Sequence, residues 1–316
     1  MTVVLLAVVP TALYSWLIWR LDRYEHEPLQ LLLITFVWGA LPALLLAVVA
    51  ELGLASLAGP YLQDGLDSTL IAPVVEEPVK ALALIGVFLF VRREFDDLLD
   101  GIVYGALIGF GFAMSENMLY FLANPTHLAS VWVLRSVVFG FNHAFYTSIV
   151  GITLGLIRFD RRRWLGYAAL PAALALAILL HAVHNASVQA GVLGFSIAWL
   201  VDMGGLVIVL VLAVLAQRKE RYWLETQLLP EVAADVIGPS DLRAAYTPSV
   251  RFRSELRALV RRGWLQYRHR RRFNHLLVEF AFVKHQFAQG DRFCCQEDID
   301  RLRAALIAER ALVQEV

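Results

Sequence analysis

In the stretch VVEEPVKAL, residues 74 to 82, two adjacent carboxylates, a proline and a lysine interrupt an otherwise apolar run. Glu76 and Glu77 stand four and three residues before Lys80, so both can reach its ammonium along one helical face. Two carboxylates against one ammonium leave a surplus negative charge, which a purely structural ion pair does not need. Further on, GFAMSENMLY carries Glu116 and Asn117, with Phe112 one turn earlier. LRSVVFGFNHAFYTSIVG carries Arg135, Asn142 and His143, and LALAILLHAVHNASVQ carries His181, His184 and Asn185. Glu, His and Asn together suit the activation of water. A carboxylate accepts the proton while an imidazole or an amide stabilises the oxyanion that develops. The same types suit a divalent metal such as zinc, held by Glu116, His143 and His181. There is no HExxH, no Gly-x-Ser-x-Gly and no cysteine in the apolar runs, which disfavours a serine or cysteine nucleophile.

These residues lie in segments that must cross a membrane. Of the 316 residues 59% are hydrophobic and 18% charged, and the mean hydropathy is +0.60. Soluble domains are nearer a quarter charged. Runs of roughly 20 apolar residues, the length a bilayer requires, recur near Val3–Trp19, Leu29–Ala50, Leu70–Val91, Gly101–Leu122, Val131–Ile157, Leu165–Ala190 and Phe195–Ala216. The first lacks a basic start and a small-residue cleavage site, and reads as a retained span rather than a signal peptide. The expected fold is all-α: a polytopic membrane bundle of about seven transmembrane helices over residues 1–216, then a cytoplasmic amphipathic helical tail over 217–316. Gly101, Gly105 and Gly109 offer a smooth face for close helix packing.

Arg and Lys fall in every second loop: Arg20 and Arg23, Arg92 and Arg93, Arg158 with Arg161 to Arg163, then Arg218, Lys219 and Arg221. Short cytoplasmic loops collect these residues. The expected placement is therefore the cell membrane, with the N-terminus outside and the C-terminus in the cytoplasm. Counting at about 1.5 Å per residue puts Glu76, Glu77, Glu116 and His181 roughly 10 Å below the outer surface, and His143 at roughly 16 Å. Asn142, seven residues after Arg135, would share its face. Cys294 and Cys295 are adjacent in the tail, so no disulfide framework is expected. The basic run Arg257 to Arg272 suits either anionic lipid headgroups or a solvated face.

In their order along the chain, EEPVK, FAMSEN, HAFYTSIVG and HAVHN resemble the PrsW family of intramembrane proteases, distant relatives of the CAAX prenyl endopeptidases and Abi proteins. LDRYEHEPL after the first run adds to the likeness, which spans about the first 215 residues. The resemblance implies that Glu76, Glu77 and Lys80 form the paired-glutamate motif and that Phe112, Glu116 and Asn117 form the second. His143 then matches the third, and His181 with Asn185 the last. His184 stands where an apolar or aromatic residue is expected. The implied activity is site-1-type cleavage of membrane-anchored regulators such as anti-sigma factors, often described as metal-dependent. The implied partners are a membrane-anchored protein substrate and the bilayer, with no nucleic acid.

Glu77 is the favoured base, since Pro78 beside it frees the Val74 carbonyl and loosens the turn where water can enter. His181 and Asn185 would then face the oxyanion, with His143 and Glu116 as proton partners or metal ligands. The main rival is a proton- or ion-coupled transporter, which uses the same intramembrane Glu, Lys and His. The runs show no inverted repeat, which such transporters commonly have.

Overall fold

A computed structural model describes residues 1–24, 27–58, 67–158, 163–291 and 294–314, and contains no strand among them. Glu25 and His26 of the LDRYEHEPL segment, and Arg161 and Arg162, lie outside the described residues. The chain forms two compact units: Met1–Leu21 with Glu27–Val214, and Asp22–His26 with Leu215–Val316.

The first unit begins with α1 (Thr2–Trp19). Next, α2 (Leu29–Trp38) and α3 (Leu44–Ala58) join through a widened π turn at Gly39–Ala43, where Pro42 stands. The helices α4 (Ala72–Phe90), α5 (Leu98–Ala123) and α6 (Leu128–Trp132) follow. The unit ends with α7 (Asn142–Ile157), α8 (Arg163–Val188) and the first part of α9 (Gly191–Ala233). Six helices among the described residues are long and apolar enough to cross a membrane: Thr2–Trp19, Leu29–Leu54, Leu98–Ala123, Pro125–Ile157, Ala168–Val188 and Gly191–Ala233. The chain is therefore a polytopic helical membrane protein. The remaining expected run, Leu70–Val91, folds as the 19-residue α4. Its Glu76, Glu77 and Lys80 set it apart by composition, and all three are buried in the bundle.

The centre of this unit is α5, in which every residue from Leu99 to Ala113 is buried. Asp97 starts it: its carboxylate accepts from the Leu99 and Asp100 amides, while Asp100 accepts from those of Asp96 and Asp97. Its glycines then let α7 approach closely. A Cβ on Gly101 would stand 2.1 Å from the Gly151 carbonyl oxygen, and one on Gly109 would stand 2.4 Å from that of His143. Larger residues would separate two backbones that here touch.

The fifth span is not one continuous helix. After α6 it widens into a π turn at Val133–Val138, breaks at residues 139–141, and restarts as α7 at Asn142. Tyr14 donates its hydroxyl to the Ser136 carbonyl at 2.8 Å and fixes that turn. The seven-residue spacing of Arg135 and Asn142 therefore does not place them on one helical face. The break puts His143 in the first turn of a helix rather than midway along one.

The second unit contains the end of α9, then α10 (Pro239–Tyr246), α11 (Pro248–Ala288) and α12 (Gln296–Gln314). Leu224, Leu228, Phe273, Leu277, Phe280 and Leu306 form its core. At Gly263 the α11 backbone leaves helical geometry with φ 85°, a conformation that glycine adopts without a Cβ clash.

Candidate active site

The α4 helix turns Glu76, Glu77 and Lys80 into the bundle, where Lys80 is 0% and Glu77 1% exposed. Lys80 Nζ donates to Glu76 Oε2 at 2.8 Å and to Glu77 Oε1 at 2.9 Å, the i,i+4 and i,i+3 pairs of one helical face. It also lies 3.0 Å from His143 Nδ1 and 3.8 Å from the centre of the Phe112 ring. An ammonium has only donors, so His143 Nδ1 accepts. Its Nε2 then carries the proton and donates to Glu116 Oε2 at 2.9 Å. Asn142 holds this imidazole's backbone by accepting from the His143 amide at 2.7 Å.

Two imidazoles on α8 are held in the same way. His181 Nδ1 lies 3.0 Å from Glu77 Oε1, and His184 Nδ1 lies 2.7 Å from Asp202 Oδ2. A carboxylate only accepts, so each Nδ1 carries a proton. The other oxygen of Asp202 accepts from the Tyr146 hydroxyl at 2.7 Å, and the Tyr146 ring stacks on His181 with centroids 5.1 Å apart.

A cavity of about 630 Å³ opens onto these groups. Glu76, Glu116, His143, His181, His184 and Asn185 line its polar side, while Leu44, Val48 and Leu52 of α3 line the apolar side. Asn185 faces this space one turn beyond His181. Glu77 is not on the cavity wall; it lies behind, between Lys80 and His181.

Donor atoms of Glu76, Glu77, His143 and His181 lie within 4.8 Å of one another, all four residues buried. Two imidazoles and a carboxylate are the donor types of a catalytic zinc site, so the set fits a divalent metal, with His143 binding through Nδ1 in place of its hydrogen bond from Lys80. The Nδ1–H of His181, held by a carboxylate, is the outer-shell support such a ligand commonly has. Glu116 is not in the convergent set. Its Oε2 accepts from Arg135 Nη2 at 2.5 Å as well as from His143. Arg135 also donates to Asn117 Oδ1 at 2.7 Å and lies 3.7 Å from the Tyr120 ring centre.

Three cavity or network residues were missed from the sequence. Asp202 had a readable signal, since it is the one charged residue between Phe195 and Ala216. Tyr146 and the cavity-lining Glu51 carry no spacing that would single them out.

The family described as PrsW family intramembrane metalloprotease matches residues 27–216. Protease PrsW of Clostridioides difficile (strain 630) is 32% identical over 188 residues, covering 57% of this chain and 76% of its own length. Protease PrsW of Geobacillus kaustophilus (strain HTA426) is 32% identical over 166 residues, covering 52% and 69%. Protease PrsW of Bacillus subtilis (strain 168) is 32% identical over 154 residues, covering 46% and 65%. No solved structure matches the chain. With its membrane bundle and buried Glu/His/Lys site, this chain belongs to the PrsW family of intramembrane proteases.

Proposed function

We propose that the protein hydrolyses a peptide bond of membrane-anchored regulatory proteins, anti-sigma-factor-like substrates among them, with Glu76 as the base. The observation that carries this reading is the position of Glu76. One of its oxygens is held by Lys80, and its side chain borders the cavity that Glu77 does not reach. This differs from the choice of Glu77 on sequence grounds. Glu77 instead orients His181, and the α4 helix runs unbroken through Pro78.

In this reading, substrate chain enters between the apolar wall of α3 and the polar wall of α4, α5, α7 and α8. Glu76 takes a proton from water as the oxygen attacks the scissile carbonyl. Asn185 supplies an amide donor to the oxyanion, and Glu76 returns the proton to the leaving amine. His181 Nε2 is free of the Glu77 contact, so it accepts in the neutral imidazole and is a second donor to the oxyanion when the ring is protonated. A divalent ion, where bound, would be held by His143, His181 and one carboxylate of the Glu76–Glu77 pair, and would polarise the carbonyl and acidify water. Lys80 holds both carboxylates in place. His143 links this cluster to Glu116 and Arg135.

The proposed orientation is N-terminus outside and C-terminus cytoplasmic in the cell membrane, on the alternation of Arg and Lys between loops. The site then lies in the outer half of the bilayer, and the scissile bond near the substrate's extracytoplasmic boundary. Reconstituted protein should cleave a single-span reporter there, as read by mass spectrometry of the products. Proton or ion flux into the same vesicles with no cleavage would favour the transporter reading instead. Externally added thiol reagent should label cysteines placed at Gln63 and Thr126 in intact cells and spare one at Arg162. Labelling at Arg162 would overturn the orientation.

A further inference from the structure

Between Arg251 and Arg272 the chain has nine arginines and one glutamate, whereas its formal net charge is zero. The structure shows how α11 uses this segment, and the arrangement is inverted relative to an ordinary surface helix. Its polar side packs inward. Arg251 donates to the Tyr24 and Ala245 carbonyls at 3.3 and 3.2 Å, Ser254 Oγ accepts from Arg270, and Glu255 accepts from the buried Asn274 at 2.8 Å. Its apolar side faces out. Phe252, Leu256, Leu259 and Val260 recur at i, i+4, i+7 and i+8, which is one helical stripe. Phe252 is 64% and Val260 75% exposed, and Trp264 and Leu265 continue the patch past the Gly263 break at 64% and 63%. Arg253, Arg257, Arg261 and Arg262 are exposed beside this stripe, and no described residue forms an ion pair with the first three.

We infer that this stripe docks onto an anionic lipid surface, independently of the hydrolytic reading. An apolar strip bordered by arginines is the composition of a helix lying in a membrane interface, with its side chains among acyl ends and its cations at headgroup phosphates. A polynucleotide would engage the arginines but gain nothing from Phe252, Leu256, Leu259 and Val260. A second copy of the stripe would set arginine rim against arginine rim. The bilayer, by contrast, is already the environment of this chain.

The test uses the full chain with Cys294→Ser and Cys295→Ser, carrying an environment-sensitive fluorophore at Val260→Cys or, as control, at the exposed Glu279→Cys. It is reconstituted in phosphatidylcholine vesicles with or without phosphatidylglycerol. In anionic vesicles the Val260 probe should be quenched by lipid-borne nitroxide and protected from aqueous iodide, while the Glu279 probe stays open to iodide. Raised ionic strength should weaken the protection. Arg257→Gln and Arg261→Gln should each lower the docked-to-free ratio about fivefold. Amide exchange across residues 252–265 of the unsubstituted chain should slow in anionic vesicles, giving the same readout without a label. Equal iodide access in both vesicle types with unchanged exchange would overturn the proposal. So would protection that depends on protein concentration, or that appears only on adding a polynucleotide.

Discussion

Lys80 Nζ and His143 Nδ1 lie 3.0 Å apart, joining two helices through a fully buried ammonium that also holds both carboxylates of Glu76 and Glu77. The lysine therefore bears on folding as much as on chemistry. Removing one partner of a buried charge group leaves the others uncompensated, at a cost of about 3–5 kcal/mol. Lys80→Met should lower the yield of membrane-inserted protein and its unfolding temperature in detergent. Lys80→Arg should not rescue it, because the longer, planar guanidinium cannot take the place of one compact ammonium that reaches Glu76, Glu77 and His143 in a fully buried position. A Lys80→Met protein of unchanged stability would contradict this.

The α5–α7 crossing gives a packing test. Gly101→Ala puts a methyl group 2.1 Å from the Gly151 carbonyl oxygen, and such overpacking typically costs about 1–3 kcal/mol. It should reduce accumulation and, by parting α5 from α7, weaken cleavage. Gly86→Ala meets nothing within 4 Å and should match the parent in both assays. Equal behaviour of the two variants would mean that the close approach is not needed.

Asp202 and His184 give a test of the second carboxylate–imidazole pair. Asp202 also holds Tyr146, whose ring stacks on His181, so it bears on that imidazole's orientation, and partners that orient a functional imidazole are commonly worth about 10- to 100-fold. Asp202→Asn keeps the volume but offers His184 Nδ1 an amide, so cleavage should fall by about tenfold or more. Tyr146→Phe, which removes one hydrogen bond to the same carboxylate, should cost less. Parent-level turnover in Asp202→Asn would remove this pair from the account.

Much of the site was legible because charge inside an apolar run is costly and hence informative. Glu76, Glu77, Lys80, Glu116, His143 and His181 each interrupt such a run, and the structure brings all six together. Their partner choice was less legible. Helical counting predicted the Lys80 contacts, which lie within one helix, but the break at residues 139–141 defeats it for Arg135 and Asn142. Which of the two adjacent glutamates faces the cavity depends on how α4 is rotated against α3 and α8. That rotation is a property of packing between helices, which periodicity in one segment does not encode.

In the second unit, burial and the nearby Lys219 ammonium push His285 down to about 4, where it stacks on Trp223 with ring centroids 4.0 Å apart. An unfolded histidine titrates near 6.5. The unfolded state therefore binds more protons below that pH, and stability should fall as the pH drops from about 6.5 toward 4 and level off below. His275, also lowered by burial, acts in the same direction. Unfolding of the 215–316 unit should be followed against pH in the full chain. A profile in His285→Gln as steep as the parent's would remove His285 as the cause.

The most direct measurement is the cleavage rate of a single-span reporter by purified, lipid-reconstituted Glu76→Gln protein beside the parent. Glutamine preserves the shape and can still accept from Lys80, but it cannot take a proton from water. The account predicts a loss on the order of a hundredfold or more, with normal insertion and accumulation. Near-parental cleavage by Glu76→Gln would contradict the assignment of Glu76 as the base.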